Sequence, residues 1–242
     1  MIRASIRFLL FVFVTSAYIS RIIIKAWWKG EDLHHGLSIR QKWVQRMFPL
    51  LGIRMQVEGT PPKGPCLIIA NHRSYFDPIA ILRDTLALPV SKAEVRRWPI
   101  IGIGAQVTGT LFVQRANAAH RRKTQFQMAK TIKEKGYPVI NFAEGTTHDH
   151  PTTGDFKSGA FIMAIREQMP VVPVAIEYRD PRNAWVGDDT FVPHFLRTFG
   201  ERHVDIRIQY ADPLYAEDYK QLREETKAWI DQKLLEFRAD WG

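Results

Sequence analysis

The sequence is poor in cysteine and has no repeated segments. Its 242 residues include one cysteine, Cys66, which excludes an intramolecular disulfide framework, and the thiol lies in an apolar stretch typical of a buried strand. The lack of any internal repeat or low-complexity segment excludes a repeat architecture. Acidic residues are scarce relative to basic ones, since 25 oppose 34 and leave a formal net charge of +9. This surplus favours an anionic partner, and the composition leaves nucleic acid, acidic lipid and an acidic carrier protein open.

The N-terminal segment lacks an uninterrupted apolar run long enough to cross a bilayer. Only 13 residues separate Arg7 from Arg21, whereas a spanning helix needs about 20 apolar residues. Trp27 and Trp28 lie between two lysines, an arrangement that suits the headgroup level of a membrane. We therefore expect an uncleaved helix on or in one leaflet, paired with a second helix near Leu37–Leu50. A spanning helix and a signal peptide remain alternatives.

After this segment, strand and helix patterns alternate. The turn-forming run Gly59–Pro65 precedes the first core strand. Predicted strands cover residues 55–58, 66–70, 89–91, 111–114, 138–142, 171–176 and 203–210, and predicted helices cover 78–85, 117–135, 158–168 and 216–238. The alternation predicts an α/β fold with a central, mostly parallel or mixed sheet flanked by helices. We expect residues 1–52 to form an N-terminal membrane-associated helical pair and residues 53–242 to form the α/β domain.

A short polar motif follows the first core strand. His72 comes two residues after the end of the apolar run at 66–70, and Asp77 follows five residues later, where Pro78 indicates the start of a helix with Asp77 at its N-cap. A loop that turns back there brings the carboxylate to the imidazole. The carboxylate then fixes the ring tautomer and leaves the other nitrogen free to accept a proton from an alcohol or thiol. The nucleophile elbow G-x-S-x-G is absent, but Ser74 leaves a Ser–His hydrolase of lipid esters open.

Three further motifs follow this one along the chain. They are Gly109–Arg115, Phe142–Thr146 with Phe156–Ala160 downstream, and Val171–Ala175. Together with Asn71-His72-x-x-x-x-Asp77, they resemble the motifs of the glycerolipid acyltransferases, which include the 1-acyl-glycerol-3-phosphate and related lysophospholipid acyltransferases. The resemblance spans roughly residues 50–180. It implies an enzyme that moves a fatty acyl chain from acyl-CoA or acyl-carrier protein to the free hydroxyl of a lysophospholipid, without a cofactor.

The resemblance also implies roles for individual side chains. His72 is then the general base, and Asp77 orients it. The expected substrate-binding residues are Asn71, Lys92, Arg115, Glu144, Gly145, Thr146 and Thr147. Arg115 matches the family's phosphate-contacting arginine, and Lys92 accompanies it. We also expect the Gly145 N–H to be a candidate oxyanion donor, because glycine lets the backbone approach a substrate closely.

Position 147 departs from the family pattern. Members that use a phosphate-bearing glycerol acceptor commonly have arginine directly after Glu-Gly-Thr, whereas this chain has Thr147. Arginine grips phosphate with two parallel hydrogen bonds, and threonine does not. The first expected acceptor is 1-acyl-glycerol-3-phosphate, giving phosphatidic acid. A substituted lysophospholipid or a lyso-aminolipid is the alternative.

Two other functional classes receive less support. His148–His150 with Asp155 resembles a metal cluster, but the segment has the composition of a polar loop, and we expect no metal. The basic runs at 121–123 and 133–135 lack the interleaved aromatic residues of a nucleic-acid platform, so we expect no nucleic-acid partner. The expected partners are a lysophospholipid, an acyl-CoA or acyl-carrier protein donor and a membrane surface, at the cytoplasmic face of the inner membrane.

Overall fold

A seven-stranded sheet forms the centre of the computed structural model, which describes residues 2–242. The strands are β1 (Ile53–Glu58), β2 (Leu67–Ala70), β3 (Leu88–Lys92), β4 (Leu111–Val113), β5 (Val139–Phe142), β6 (Val171–Tyr178) and β7 (Val204–Tyr210). The α-helices are α1 (Ile2–Lys29), α2 (Leu33–Leu51), α3 (Asp77–Leu82), α4 (Ile101–Val107), α5 (Ala118–Lys135), α6 (Gly159–Arg166), α7 (Phe191–Thr198) and α8 (Tyr219–Trp241). The predicted α/β fold with flanking helices is confirmed.

The sheet is mixed but mostly parallel. Its strand order is β1-β7-β6-β2-β5-β3-β4, and every neighbouring pair is parallel except β6 with β7. Parallel strands align their carboxyl ends at one edge of the sheet, where ligands of open α/β sheets bind. The loops after β2 and β5, which hold His72 and Glu144, therefore meet at the same edge.

Two apolar layers cover the two faces of the sheet. Successive side chains of a strand point to opposite faces, so all four residues of β2 are buried. Ile68 and Ala70 pack into a cluster that includes side chains of α1, α2, α3 and α7. Leu67 and Ile69 pack into a second cluster with side chains of α5, α6 and α8. The N-terminal helices and α5 thus lie on opposite faces of the sheet.

α1 is one continuous helix whose outward side is apolar. By length and composition it could cross a membrane, and it is the one helix among residues 2–242 that meets those criteria. Phe13, Trp27 and Trp28 on α1 are 71%, 82% and 75% exposed. Arg7, which interrupts the apolar run, instead faces the protein and donates to the Phe199 and Glu201 carbonyls at the end of α7. Of the two charges that bound the apolar run, Arg7 is therefore satisfied by the rest of the chain, whereas Arg21 is exposed.

The pairing of α1 with α2 follows the prediction, and local signals define α2. The Asp32 carboxylate accepts the His35 N–H at 3.0 Å and caps its start, while Gly52, with φ of 74°, ends it. β1 begins at Ile53, directly after this cap. The division into a segment 1–52 and a domain 53–242 stays a prediction.

The sequence patterns did not reveal α4, α7 or the 3₁₀ turn Ala93–Arg97. α4 contains glycine at two positions, which disfavours a helix from sequence alone. A Cβ at Gly102 would lie 2.4 Å from the Arg96 carbonyl oxygen, so this glycine lets α4 pack directly on the backbone of the 3₁₀ turn. Tertiary packing therefore overrides local propensity here.

Candidate active site

The His72 imidazole and the Asp77 carboxylate form a hydrogen-bonded pair. His72 lies in the loop after β2 and Asp77 is the first residue of α3, so the loop turns back as expected, with His72 Nδ1 2.8 Å from Asp77 Oδ2. Asp77 is not the N-cap that the sequence indicated, since Phe76 occupies that position. Its carboxylate instead accepts the backbone N–H groups of Arg73 at 2.6 Å and Ser74 at 2.8 Å. These bonds fold the loop around the carboxylate.

A tyrosine completes the environment of this carboxylate. The Tyr178 hydroxyl, at the end of β6, donates to Asp77 Oδ1 at 2.8 Å. Burial, followed by the negative charge of Asp77, raises the pKa of Tyr178 well above its usual value, so the hydroxyl keeps its proton and remains a donor. Asp77 is fully buried and fully hydrogen-bonded. Its carboxylate therefore orients the ring, leaving Nε2 as the nitrogen of His72 available for chemistry.

A phenylalanine fixes the plane of the histidine ring. The rings of His72 and Phe142 are stacked, with centroids 4.2 Å apart and planes 20° from parallel. Phe142 is the last residue of β5, the strand that neighbours β2. The ring is thus held by a hydrogen bond at one edge and by an aromatic face, which is the pre-organisation that proton transfer requires.

Hydrogen bonds hold both the N–H and the carbonyl of the His72 backbone. Its N–H donates to Glu144 Oε1 at 2.8 Å, and its carbonyl accepts the His148 N–H at 3.3 Å. Glu144 Oε2 accepts the Gly154 N–H at 2.7 Å and also contacts His148 Nε2. Glu144 is buried, and its carboxylate is occupied by these donors. Glu144 thus holds the motif loop and does not line the cavity, and its role in acceptor binding stays a prediction.

Arg73 fixes the tautomer of His148. The Arg73 guanidinium, 1% exposed, lies 3.0 Å from His148 Nδ1 and also donates to the His148 carbonyl at 3.2 Å. Because a guanidinium only donates, Nδ1 must accept, and the proton of the neutral ring then sits on Nε2, facing Glu144. Arg73, His148 and Glu144 thus form a chain of donors and acceptors that ends at the His72 backbone.

A second carboxylate balances the buried arginine. Glu177 Oε2, on β6, accepts from Arg73 at 3.1 Å and from Arg238 at 2.9 Å. Arg238, on α8, also donates to the carbonyls of Asp149 and His150. The last helix of the chain is therefore tied to the loop after β5. Among residues 2–242, no group of three or more His, Cys, Asp or Glu side chains has a metal-binding arrangement.

The glycine after Glu144 forms a tight turn. Gly145 has φ of 76°, a conformation that favours glycine, and its N–H donates to the Phe142 carbonyl at 3.1 Å. This bond engages the Gly145 N–H within the turn, and its role as an oxyanion donor stays a prediction. The Gly145 carbonyl accepts from the Arg115 guanidinium. Partial burial lowers the pKa of Arg115, without removing its charge at neutral pH.

The other predicted substrate-binding residues divide into two groups. Lys92, Arg115, Thr146 and Thr147 line one cavity together with His72. Asn71 does not reach it, because its side-chain amide donates to the Ile176 carbonyl and accepts the Ile176 N–H, both at 2.8 Å. Asn71 thus joins the end of β2 to β6, and its role in substrate binding stays a prediction.

The cavity beside His72 is large and apolar, and the two N-terminal helices form part of its wall. Its volume is about 400 Å³, and residues of α1, α2, α3, α4 and α7 form about half of its wall. Trp98 and Trp185 stack beside its polar end, with centroids 5.6 Å apart. The Trp185 backbone is fixed there, because its N–H donates to the Arg73 carbonyl at 2.8 Å and its carbonyl accepts from the Thr147 hydroxyl. Cations and His72 thus lie at one end of a space suited to a hydrocarbon chain.

Sequence reasoning missed the supporting residues of this site. Arg73, Glu177 and Tyr178 had no assigned role, and His148 was considered only as a metal ligand. One sequence signal could have indicated that Glu177 is buried and paired with a cation. Glu177 directly follows a run of six apolar residues in β6, and a charged residue in such surroundings is seldom buried without a partner. Their partners lie about 70 to 105 positions away, as with the 104 residues between Arg73 and Glu177.

The site thus consists of a histidine held by a buried carboxylate at the carboxyl edge of a mostly parallel sheet, next to an apolar cavity. Residues 53–177 match the protein family described as Acyltransferase. The chain therefore belongs to the acyltransferase family, as the motif resemblance predicted, and it is an O-acyltransferase.

The chain is also similar to individual acyltransferases whose acceptor lipids are named. The chain is 33% identical to a lyso-ornithine lipid O-acyltransferase from Pseudomonas aeruginosa over 71% of this chain and 68% of that protein. It is 32% identical to another from Brucella abortus, over 74% and 77% of the two chains. A 1-acyl-sn-glycerol-3-phosphate acyltransferase from Haemophilus influenzae is 30% identical over 57% and 60%. The crystal structure of the 1-acyl-sn-glycerophosphate acyltransferase from Thermotoga maritima has the same fold, with a TM-score of 0.74, 22% identity, and coverage of 100% of this chain and 98% of that one.

Proposed function

We propose that this enzyme transfers a fatty acyl chain from an acyl thioester to the free hydroxyl of a lysolipid, with His72 as the general base. The observation that carries this proposal is the His72–Asp77 pair at the polar end of the apolar cavity. The donor is an acyl-CoA or an acyl-carrier protein. The reaction needs no cofactor, because the thioester is already activated and the base acts directly.

Each protein group has a part in this reaction. His72 Nε2 takes the proton from the acceptor hydroxyl as its oxygen attacks the thioester carbonyl. The C–S bond then breaks, and the imidazolium returns the proton to the leaving thiolate. Asp77, which accepts hydrogen bonds from its surrounding donors, stabilises the imidazolium and keeps Nδ1 protonated. Apolar side chains of the cavity hold a hydrocarbon chain, and each methylene that leaves water there contributes about 0.8 kcal/mol.

The dyad is tested by removing its two functional groups separately. We expect His72→Ala to lower kcat by about 10² or more, because general base catalysis supplies about 10²–10⁴. Asp77→Asn should lower kcat as well, since a neutral amide no longer stabilises the imidazolium. His203→Ala, outside the cavity, is the matched control and should leave kcat unchanged. A folded His72→Ala enzyme with near-normal transfer would end this proposal.

For the acceptor, we propose a lysolipid whose headgroup is not a bare phosphate, with a lyso-ornithine lipid as the leading candidate. Two observations support it. Thr147 stands where an arginine would grip phosphate, and its hydroxyl is engaged by the Trp185 carbonyl. Lyso-ornithine lipid O-acyltransferases match 71–86% of this chain, at 28–33% identity. Ornithine carries both a carboxylate and an ammonium group, so its headgroup demands less positive charge than phosphate does.

Lysophosphatidic acid is the second candidate acceptor. Lys92 and Arg115 both line the polar end of the cavity, and these two cations would suit a phosphate. The deciding measurement is kcat/KM for lyso-ornithine lipid and for lysophosphatidic acid, in the wild type and in Thr147→Arg. We expect the substitution to shift the ratio toward lysophosphatidic acid by about tenfold or more, the value of one charge-assisted hydrogen bond. A wild type that strongly prefers lysophosphatidic acid, with a ratio unmoved by Thr147→Arg, would establish that acceptor.

We also propose that α1 attaches the enzyme to the cytoplasmic face of the inner membrane. The exposed apolar side of α1, with Trp27 and Trp28 near its end, supports contact with lipid. The cavity opens beside this helix, so a lysolipid would reach it from the bilayer. A protease-protection assay on inverted inner-membrane vesicles should show the α/β domain accessible from the cytoplasmic side. Protection of the domain there would reverse the assignment.

A further inference from the structure

The outer side of α5 carries a row of cations around an exposed phenylalanine. Arg122, Phe126, Lys130 and Lys133 are all exposed, and their spacings of four, four and three residues place them along one face of the helix. We call these four residues the α5 stripe. Phe126 is 65% exposed at its centre. The stripe is about 16 Å long, since a helix rises about 1.5 Å per residue.

The stripe is only partly neutralised by the chain itself. Lys133 pairs with Glu167 at 2.7 Å, and Lys130 pairs with Glu134 at 3.7 Å. Glu134 is the one acidic residue of α5. Arg122 forms no ion pair with any other residue of the described range 2–242. Positive charge with an apolar centre is therefore left facing solvent.

The position of α5 excludes a membrane as the occupant of the stripe. α5 packs through Met128 and Ile132 on the sheet face that carries Leu67 and Ile69. α1 packs on the opposite face. When α1 lies on a bilayer, the sheet stands between the lipid and the stripe. The partner that meets these cations must therefore be anionic and come from the aqueous side.

The helix that carries the stripe contacts the cavity wall at its first turn. The Arg121 guanidinium, in the first turn of α5, donates to the Arg115 carbonyl at 2.6 Å. Arg115 in turn lines the cavity beside His72. A partner seated on α5 would therefore lie on the helix that follows Arg115, and a flexible extension would have to carry the acyl group from there to the reacting groups.

We infer that the α5 stripe is the docking surface for an acidic carrier protein that delivers the acyl thioester on a flexible arm. The inference rests on the proposed acyl transfer and names the donor partner. Complementary charges around a central aromatic side chain are typical of specific protein interfaces. Charges at the rim of such an interface mainly control the association rate and its salt dependence.

The test compares one acyl chain delivered by an acidic acyl-carrier protein or by CoA. Charge reversal in Arg122→Glu should lower kcat/KM with the carrier about tenfold, and Phe126→Ala should also lower it by removing the apolar centre. Both variants should keep wild-type kcat/KM with acyl-CoA, which also shows that they are folded. The matched control is Lys63→Glu, an exposed site in the loop before β2, at the other end of that strand from His72. It should leave both donors unaffected.

The outcomes separate this inference from the proposed function. A wild type that uses acyl-CoA but not the carrier overturns the docking inference and leaves the acyl transfer intact. Loss with acyl-CoA alone in Arg122→Glu assigns the stripe to the CoA nucleotide and overturns the carrier. Equal loss with both donors, or no loss with either, also overturns it. A wild type inactive with both donors and all lysolipids contradicts the proposed function itself.

Discussion

Replacing Glu144 by glutamine tests how the site holds its base, because the change keeps the shape and removes one acceptor. The carboxylate receives the His72 N–H on one oxygen, and the Gly154 N–H and His148 Nε2 on the other. A glutamine has one acceptor oxygen and one NH₂ group. In either orientation of the amide, a donor therefore faces a donor. His148 cannot relieve this by shifting its proton to Nδ1, because Arg73 donates there.

The size of the effect follows from these contacts. A hydrogen bond to a charged group contributes about 1.5–3 kcal/mol, and a buried donor left unpaired costs about 1–3 kcal/mol. We expect a loss of about 3 kcal/mol in the free energy of unfolding. For a chain of this size that corresponds to a Tm about 6–12 °C lower. We also expect kcat to fall about 10²-fold, as small displacements of catalytic groups commonly produce.

Thermal unfolding and steady-state kinetics measure both effects. KM for the acceptor should stay within about twofold of wild type, because Glu144 lies outside the cavity lining. Glu167→Gln is the matched control: this glutamate pairs with Lys133 at the surface, and the change should alter stability by less than about 0.5 kcal/mol. A large rise in KM with unchanged kcat and Tm would refute the positioning role and make Glu144 an acceptor-binding group.

Three further changes probe other parts of the molecule. Tyr178→Phe removes one donor from the orienting carboxylate, and we expect kcat about fivefold lower, less than for loss of the carboxylate itself. Burial raises the pKa of Cys66 to about 12, so almost no thiolate forms at pH 8, and alkylation by iodoacetamide should require unfolding by denaturant; rapid labelling of the native enzyme would contradict the burial. Serine at both Trp27 and Trp28 should weaken vesicle binding about tenfold or more in a sedimentation assay, whereas Phe126→Ala, on the other sheet face, should not.

The sequence predicted those parts of the fold that depend on local pattern. The β2 strand, its apolar run and the His72–Asp77 spacing follow from hydrophobicity, helix-start signals and short-range geometry. The same holds for α5, which starts at the Asn117 cap and ends at Gly136, as the residues indicate. The parallel sheet followed from alternating strands and helices. These features are encoded within windows of about 20 residues.

The parts that were missed depend on contacts between distant segments. Arg73 is an ordinary loop cation in the sequence, and only the approach of β6 and of the loop after β5 makes it a buried link between Glu177 and His148. Asn71 resembled a substrate ligand because it precedes His72, yet the adjacent β6 backbone takes both of its amide groups. The position of a residue along the motif predicted that it belongs to the site. The direction of each side chain was set by the neighbouring strand.

The helix that we propose contacts lipid is also part of the wall of the cavity. Phe11, Thr15, Tyr18, Ile19 and Ile22 of α1 line it, opposite His72. Two events that share one structural element are thermodynamically linked, and the coupling is reciprocal. Occupancy of the cavity by a chain favours the packed position of α1, and lipid that draws α1 away weakens the hold on that chain. Truncation of α1 to obtain a soluble enzyme would therefore remove part of the substrate site, and detergents that bind α1 would act as competitors of the acyl chain.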